Sequence, residues 1–106
     1  MPKLTVVYWR DIPAQVIAKQ GRKAVKVPLS ERFHEAIDRA AMRAGKGGSD
    51  AYLEEWRREA EACGADMQAA VDDRVAALEA RYSDEDLTAM VRNKGMSLSQ
   101  ETEQTG

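Results

Sequence analysis

The chain has 106 residues, with 16 Lys and Arg against 18 Asp and Glu, one cysteine, one histidine and 43% hydrophobic residues. This length limits it to one compact domain with one modest core. A single cysteine excludes an internal disulfide framework, and no run approaches the ~20 apolar residues that span a membrane. The composition therefore predicts a soluble cytoplasmic protein and says nothing about its chemistry.

Charge is divided unevenly along the chain. Residues 1–32 carry seven basic and two acidic side chains, whereas residues 33–106 carry nine basic and sixteen acidic side chains. All three prolines, Pro2, Pro13 and Pro28, lie in the first part. This division indicates a basic N-terminal part and an acidic remainder that proline does not interrupt.

Residues 1–29 have the pattern of antiparallel strands. Residues 3–9 are rich in β-branched and aromatic side chains and predict a first strand, which a turn at residues 10–13 ends. Gly21 and Arg22 fit a two-residue type II′ hairpin turn, and the alternative for this segment is a short helix that begins at Pro13. The hairpin places apolar residues on one face and lysines on the other, with the pairs Gln20–Lys23, Lys19–Ala24, Ala18–Val25, Ile17–Lys26 and Val16–Val27.

From Ser30 onward the hydrophobic period changes from two residues to about 3.6, which predicts helices. Ser30 is the expected N-cap of the first helix, Ser49 or Asp50 begins a short second helix, and a Ser83–Asp86 capping box begins a fourth that ends at residue 93 or 94. The stripes expected to face the core are Phe33, Ile37, Ala40, Ala41 and Ala44 in the first helix, Tyr52, Leu53 and Trp56 in the second, and Met67, Val71, Val75, Leu78 and Tyr82 in the third.

These elements predict an α+β fold in which a three-stranded antiparallel β-meander packs against three to four α-helices. Residues 1–95 form the single domain, with strands within about 3–29 and helices within about 31–94, and residues 96–106 are expected to be disordered. The helix from Ser30 is expected to fold back on the apolar hairpin face, with the 67–82 stripe completing the core. The lysine-bearing face then stays open to solvent or to a partner.

The sequence offers little material for a metal site or a catalytic centre. Its only histidine, His34, and its only cysteine, Cys63, lie in different segments, so we expect neither a metal nor a cofactor. An alternative is a small enzyme or cofactor-handling protein in which His34 and Asp38, one helical turn apart, act with Cys63 or Arg39. The sequence does not decide whether the chain is an enzyme, although the balance is against catalysis.

Two basic segments suggest contact surfaces. Lys19, Arg22, Lys23 and Lys26 could neutralise phosphates, but no aromatic side chains interleave with them, so an acidic protein surface fits better than nucleic acid. Residues 9–11, Trp-Arg-Asp, are either an exposed binding anchor or a buried tryptophan followed by a turn ion pair.

Several segments together resemble a family of small bacterial proteins known as the virulence factor domain. They are Val6–Val16, Gly21-Arg22-Lys23, Arg32-Phe33 with Ala36–Met42, and Ser49–Arg58. The resemblance covers about residues 3–92 and implies an accessory or docking module, since such domains occur alone or beside iron–sulfur-scaffold-like regions and helical repeats. It further implies association with corrinoid- and folate-dependent methyl-transfer enzymes. It supplies no catalytic residues.

We therefore expect a non-enzymatic accessory or docking protein associated with one-carbon metabolism, bound to a protein partner and not to a membrane. The outer strands of the meander, the first and the third, leave a sheet edge through which a second copy could pair as a homodimer. The residues expected to make contacts with a partner are Trp9, Arg10, Asp11, Lys19, Lys26, Trp56, Arg57 and Arg58.

Overall fold

The structure is a computed structural model that describes residues 2–45 and 48–96. Its strands form one antiparallel sheet in the order β3-β2-β1-β4, which with four helices makes an α+β fold, as the sequence predicted. In chain order the elements are β1 (Lys3–Trp9), β2 (Ile12–Gln20), β3 (Lys23–Pro28), α1 (Glu31–Arg43), α2 (Ser49–Glu54), β4 (Trp56–Ala62), α3 (Met67–Arg81) and α4 (Asp84–Arg92).

The hairpin of β2 and β3 has the predicted register. Gln20 pairs with Lys23, Ala18 with Val25, and the other three expected pairs are also present. Gly21 has φ +60°, a conformation that glycine adopts without the steric cost that a side chain brings. Pro13 lies within β2, so the alternative of a helix beginning there is wrong.

The meander gains a fourth strand that the sequence prediction missed. The predicted second helix begins at Ser49 or Asp50 and includes Trp56, but α2 ends at Glu54 and β4 begins at Trp56. β4 pairs antiparallel with β1 from Trp9↔Trp56 to Lys3↔Ala62. Leu53, expected in the core, is 61% exposed. β1 is therefore an inner strand, and the two sheet edges are β3 and β4.

The other helices follow the predicted stripes. In α1 the buried residues are Phe33, Ala36, Ile37, Ala40 and Ala41. The capping box at the start of α4 is present, because the Ser83 hydroxyl accepts from the Asp86 amide and the Asp86 carboxylate accepts from the Ser83 amide. Ser30 sits at the N-cap of α1, but its hydroxyl donates to Glu79 of α3 at 2.9 Å instead of capping its own helix.

The helices divide the core differently from the expectation. α3 packs on β2 and β3 and reaches β1, whereas α1 packs against α4 and β2 and does not cover β3. The apolar hairpin face therefore lies mainly under α3. Hydrogen bonds from Ser30 and Arg32 to Glu79 tie the start of α1 to the end of α3.

Within the described residues, no helix is long and apolar enough to cross a membrane. The tail predicted at residues 96–106 lies, apart from Met96, outside the part of the chain that the structure describes.

Candidate functional site

The two faces of the sheet differ sharply in composition. The core face carries Leu4, Val6, Val16 and Ala18, all buried, and faces α3. Within the four strands, the opposite face carries four basic residues and no acidic one. We define this surface as the basic face, formed by Lys3, Thr5 and Val7 of β1, Gln15, Ile17 and Lys19 of β2, Ala24, Lys26 and Pro28 of β3, and Arg58, Ala60 and Ala62 of β4.

Strand register fixes how these cations are spaced. Lys3 lies directly opposite Lys19, and Lys26 lies opposite Ile17, diagonally across from Lys19. Directly opposed residues have Cβ atoms about 5 Å apart and diagonal ones somewhat further. Arg58 lies on the same face, opposite Val7, in the edge strand β4. The cations therefore surround a centre formed by Thr5, Val7 and Ile17.

Within the described residues, the four cations form no ion pair. Lys3, Lys19, Lys26 and Arg58 are all exposed. Like charges directly opposite each other on a sheet are destabilising. The Lys3–Lys19 pair therefore places two like charges side by side on this face.

The centre of the basic face is separate from the main core. Thr5 and Ile17 are half-buried and Val7 is 6% exposed, and none of the three belongs to the core cluster of the described residues. At the Trp9 end the same side of the sheet is closed by α2, whose Tyr52 ring stacks on Trp9 with 5.9 Å between ring centroids. The basic face is therefore basic at its margins and partly apolar at its centre.

Trp9, one of the predicted contact residues, is buried, which corrects the possibility that it is an exposed anchor. Its side chain has no exposed surface, and its indole Nε1 donates to the carbonyl of Tyr52 at 2.9 Å. Gly95 lies so close that a Cβ there would come within 2.8 Å of the Trp9 ring. Trp9 therefore joins β1 to α2 and to the segment after α4.

Arg10 and Asp11 form the turn between β1 and β2, and both have structural partners. Arg10 adopts φ +54°, an unusual conformation for a residue other than glycine. Its guanidinium donates to Glu55 at 3.0 Å and to the carbonyl of Lys94 at 2.9 Å, and the Asp11 amide donates to the Gly95 carbonyl. The predicted turn ion pair is thus replaced by bonds to residues distant in sequence.

The three residues 56–58 each lie in a different environment, two of them against aromatic rings and one on the basic face. Trp56 is half-buried, with its ring edge-to-face against Tyr52. Arg57 points to the core face, lies 4.5 Å from the centroid of the Tyr8 ring, and donates to Asp11 and Glu59. Burial lowers the pKa of Arg57, but these hydrogen bonds raise it by more, so this pKa lies above its ordinary value. Arg58 alone reaches the basic face.

The structure therefore places three of the eight predicted contact residues, Lys19, Lys26 and Arg58, on the basic face. Lys3 completes the group, although it was not among them. Period-two alternation along residues 3–7 indicates which side Lys3 occupies. The sequence does not predict Arg58 on this face, because its pattern favours a helix at residues 56–58, where the structure has β4.

The residues of the enzymatic alternative do not converge. No hydrogen bond joins His34 to Asp38 among the described residues, and both side chains are exposed. Cys63 donates its amide to Pro2 at the start of β1, whereas Asp38 acts electrostatically on Tyr52, which stacks on Trp9 at the end of β1. Seven residues of strand place these ends about 20 Å apart.

Two clefts of about 260 and 300 Å³ lie elsewhere on the molecule, the first of them lined by Arg32, Arg39 and Asp84. The second, between β4 and α3, is lined by Tyr8, Glu59, Glu61 and Arg74, and Arg74 pairs with Glu61. Burial, assisted by the charge of Glu59, raises the pKa of the Tyr8 hydroxyl, so Tyr8 stays neutral. Within the described residues, no group of three or more His, Cys, Asp and Glu side chains is placed to hold a metal ion.

Comparison with known proteins identifies the family. The profile of a family described as "Virulence factor" matches residues 7–91, which include all of β2, β3, β4 and α1 to α3. No curated protein and no solved structure matches the chain. Since the match spans most of the 106 residues, the chain belongs to the virulence factor family.

Proposed function

We propose that this protein is a non-enzymatic docking module whose basic face binds an acidic surface of a protein partner. The observation that carries this proposal is a set of four cations on one face of the sheet, with no acidic residue among the strand residues of that face and no ion pair within the described part of the chain. Such a surface attracts an anionic partner over about a Debye length, roughly 8 Å at physiological salt, and then orients it.

The centre of the basic face favours a folded protein as the partner. Thr5 and Ile17, both half-buried, form a partly apolar centre that a complementary protein surface can cover. Single-stranded nucleic acid is normally held by aromatic side chains that stack on the bases. The basic face has no aromatic residue, and Trp9 and Tyr52, which lie beyond its end, stack on each other.

Family context narrows the search for the partner. The family resemblance associates these domains with corrinoid- and folate-dependent methyl-transfer enzymes, so an acidic patch on such an enzyme is the first partner to test. The protein would act there as an accessory subunit in the cytoplasm, contributing a surface and no reacting group.

Co-purification tests the proposal. Tagged wild-type protein, captured at low salt and analysed by mass spectrometry, is expected to retain a stoichiometric protein that K19E/K26E fails to retain and that elutes as salt is raised. Absence of any stoichiometric partner at low salt contradicts the proposal. Recovery of nucleic acid in place of protein contradicts it equally, and assigns the basic face to phosphate backbones.

A further inference from the structure

The outer edge of β4 is an exposed sheet edge. Within the described residues β4 pairs only with β1, and six of its seven residues are exposed. Edge strands are commonly protected by charged side chains, lysine above all, by proline or by a bulge. β3 carries Lys23 and Lys26 and ends at Pro28, whereas β4 has no lysine, proline or register shift, and its two arginines and two glutamates balance in charge.

Two hydrogen bonds establish which backbone groups of β4 point outward. The Cys63 amide donates to the Pro2 carbonyl, and the Arg10 amide donates to the Glu55 carbonyl. Since hydrogen-bonded pairs alternate along an antiparallel ladder, the odd-numbered residues between 55 and 63 bond to β1. The amides and carbonyls that point away from β1 therefore belong to Trp56, Arg58, Ala60 and Ala62.

The sequence of β4 complements itself in one register. When two antiparallel copies overlap over all seven residues, Glu59 lies at the centre, Arg58 faces Ala60 of the partner subunit, and Arg57 faces Glu61 of the partner subunit. The outward amides and carbonyls then face each other. The two Glu59 side chains then lie directly opposite each other, a like-charge pair, and the charge of each is offset by its own Arg57, which donates to it.

We propose that a second copy of this chain pairs with the outer edge of β4 and extends the sheet across a two-fold axis. Such an axis is perpendicular to the sheet, so both basic faces lie on the same side and form one surface with Arg58 of each copy near its centre. The pairing depends only on β4, and it holds whether or not the basic face binds the proposed partner.

Proline substitution at this edge gives a selective test. Ala60→Pro removes an outward amide and spares the ladder to β1, a position at which strands tolerate proline. Ala24→Pro is the matched control, since Leu29 bonds to Ala14 and the same alternation gives Ala24 an outward amide on the β3 edge. Far-UV circular dichroism establishes that each variant is folded.

Sedimentation equilibrium from ~1 µM to ~1 mM measures the assembly, a range suited to a small interface. The wild type and A24P are expected to rise from the 11.8 kDa chain mass towards twice that mass, while A60P stays monomeric. A wild type that is monomeric throughout overturns the proposal, as does an A60P that dimerises like the wild type.

If A60P does not fold, lysines replace the prolines. Ala60→Lys puts a cation opposite Arg58 of the partner subunit and is expected to weaken dimer formation at least tenfold, whereas Ala24→Lys leaves it unchanged. Equal effects of the two lysines contradict pairing through β4.

Discussion

Among the described glycines, Gly95 has the least room for a side chain. Its φ of +90° disfavours any other residue, and a Cβ would lie 2.8 Å and 3.2 Å from two atoms of the Trp9 ring. Trp9 cannot move away easily, because it is fully buried, stacks on Tyr52 and donates a hydrogen bond to the Tyr52 carbonyl. Gly95 therefore closes the core at the end of β1.

Gly95→Ala is expected to lower the free energy of unfolding by about 3 kcal/mol, from backbone strain and overlap together. Gly45→Ala isolates the backbone contribution, since Gly45 has φ +73° but nothing within 4 Å of its Cβ position. That control should lose only about 1 kcal/mol. Urea denaturation measures both, and equal losses would show that the Trp9 contact is unimportant.

Arg57 and Arg58 are neighbours with different roles. Arg57 stacks on Tyr8 and binds the Arg10 carbonyl and Asp11, whereas Arg58 makes no ion pair within the described residues. Arg57→Gln is therefore expected to cost about 1–2 kcal/mol of stability, and Arg58→Gln less than about 0.5 kcal/mol. Thermal or urea unfolding checks this order, and a larger loss for R58Q would contradict it.

Glu79 is the main polar link between α1 and α3. It accepts from the Ser30 amide at 2.7 Å, from the Ser30 hydroxyl at 2.9 Å and from Arg32 at 3.1 Å. Burial raises the pKa of Glu79, but these hydrogen bonds and the Arg32 charge lower it by more, so the pKa lies below its ordinary value of 4.5.

A lowered pKa in the folded state gives stability that is present above the unfolded pKa and is lost as pH falls through the folded pKa. The stability difference between wild type and Glu79→Gln should therefore be largest above pH 4.5 and shrink at lower pH. Glu35→Gln, at an exposed site without an ion pair in the described residues, is the control. Urea denaturation across pH 3–7 measures the stability difference of each variant from wild type. A difference for E79Q that does not vary with pH would contradict a stabilising role of the ionised Glu79.

The hairpin and β4 show what sequence could predict at the scale of elements. In β2 and β3, apolar and polar residues alternate, so the chain itself specifies the pairing. β4 reads Trp-Arg-Arg-Glu-Ala-Glu-Ala, which has little apolar alternation and favours a helix by intrinsic propensity. Its pairing with β1, distant in sequence, overrides that propensity, and no local pattern records such a contact.

The missed strand also limited the prediction of the site. The lysine-bearing side of the hairpin followed from alternation alone, and Lys19 and Lys26 do share a face. Arg58 could join them only once β4 was known to lie beside β1, opposite Val7. Trp9 could not be placed from the sequence, because its burial depends on Tyr52 and Gly95, which lie 43 and 86 residues further along.

Across the whole molecule, charge is separated by surface as well as by sequence. The acidic residues of β4, Glu59 and Glu61, lie on the core face with Arg57 and Arg74, and so do not neutralise the basic face. One side of the sheet is therefore cationic, although the chain as a whole has a net charge of −2. A partner with an acidic patch can dock on that side.

The role of the basic face in binding is tested most directly by two variants that change the net charge equally. The quantity to measure is the dissociation constant of each variant for the co-purified partner. K19E/K26E reverses charges on the basic face, whereas R22E/K23E reverses charges on the same hairpin, at the turn and on the other face. We expect K19E/K26E to weaken binding at least ~10-fold, about 1.4 kcal/mol, and R22E/K23E to weaken it less than ~3-fold. Equal weakening by both variants would contradict a specific role for the basic face.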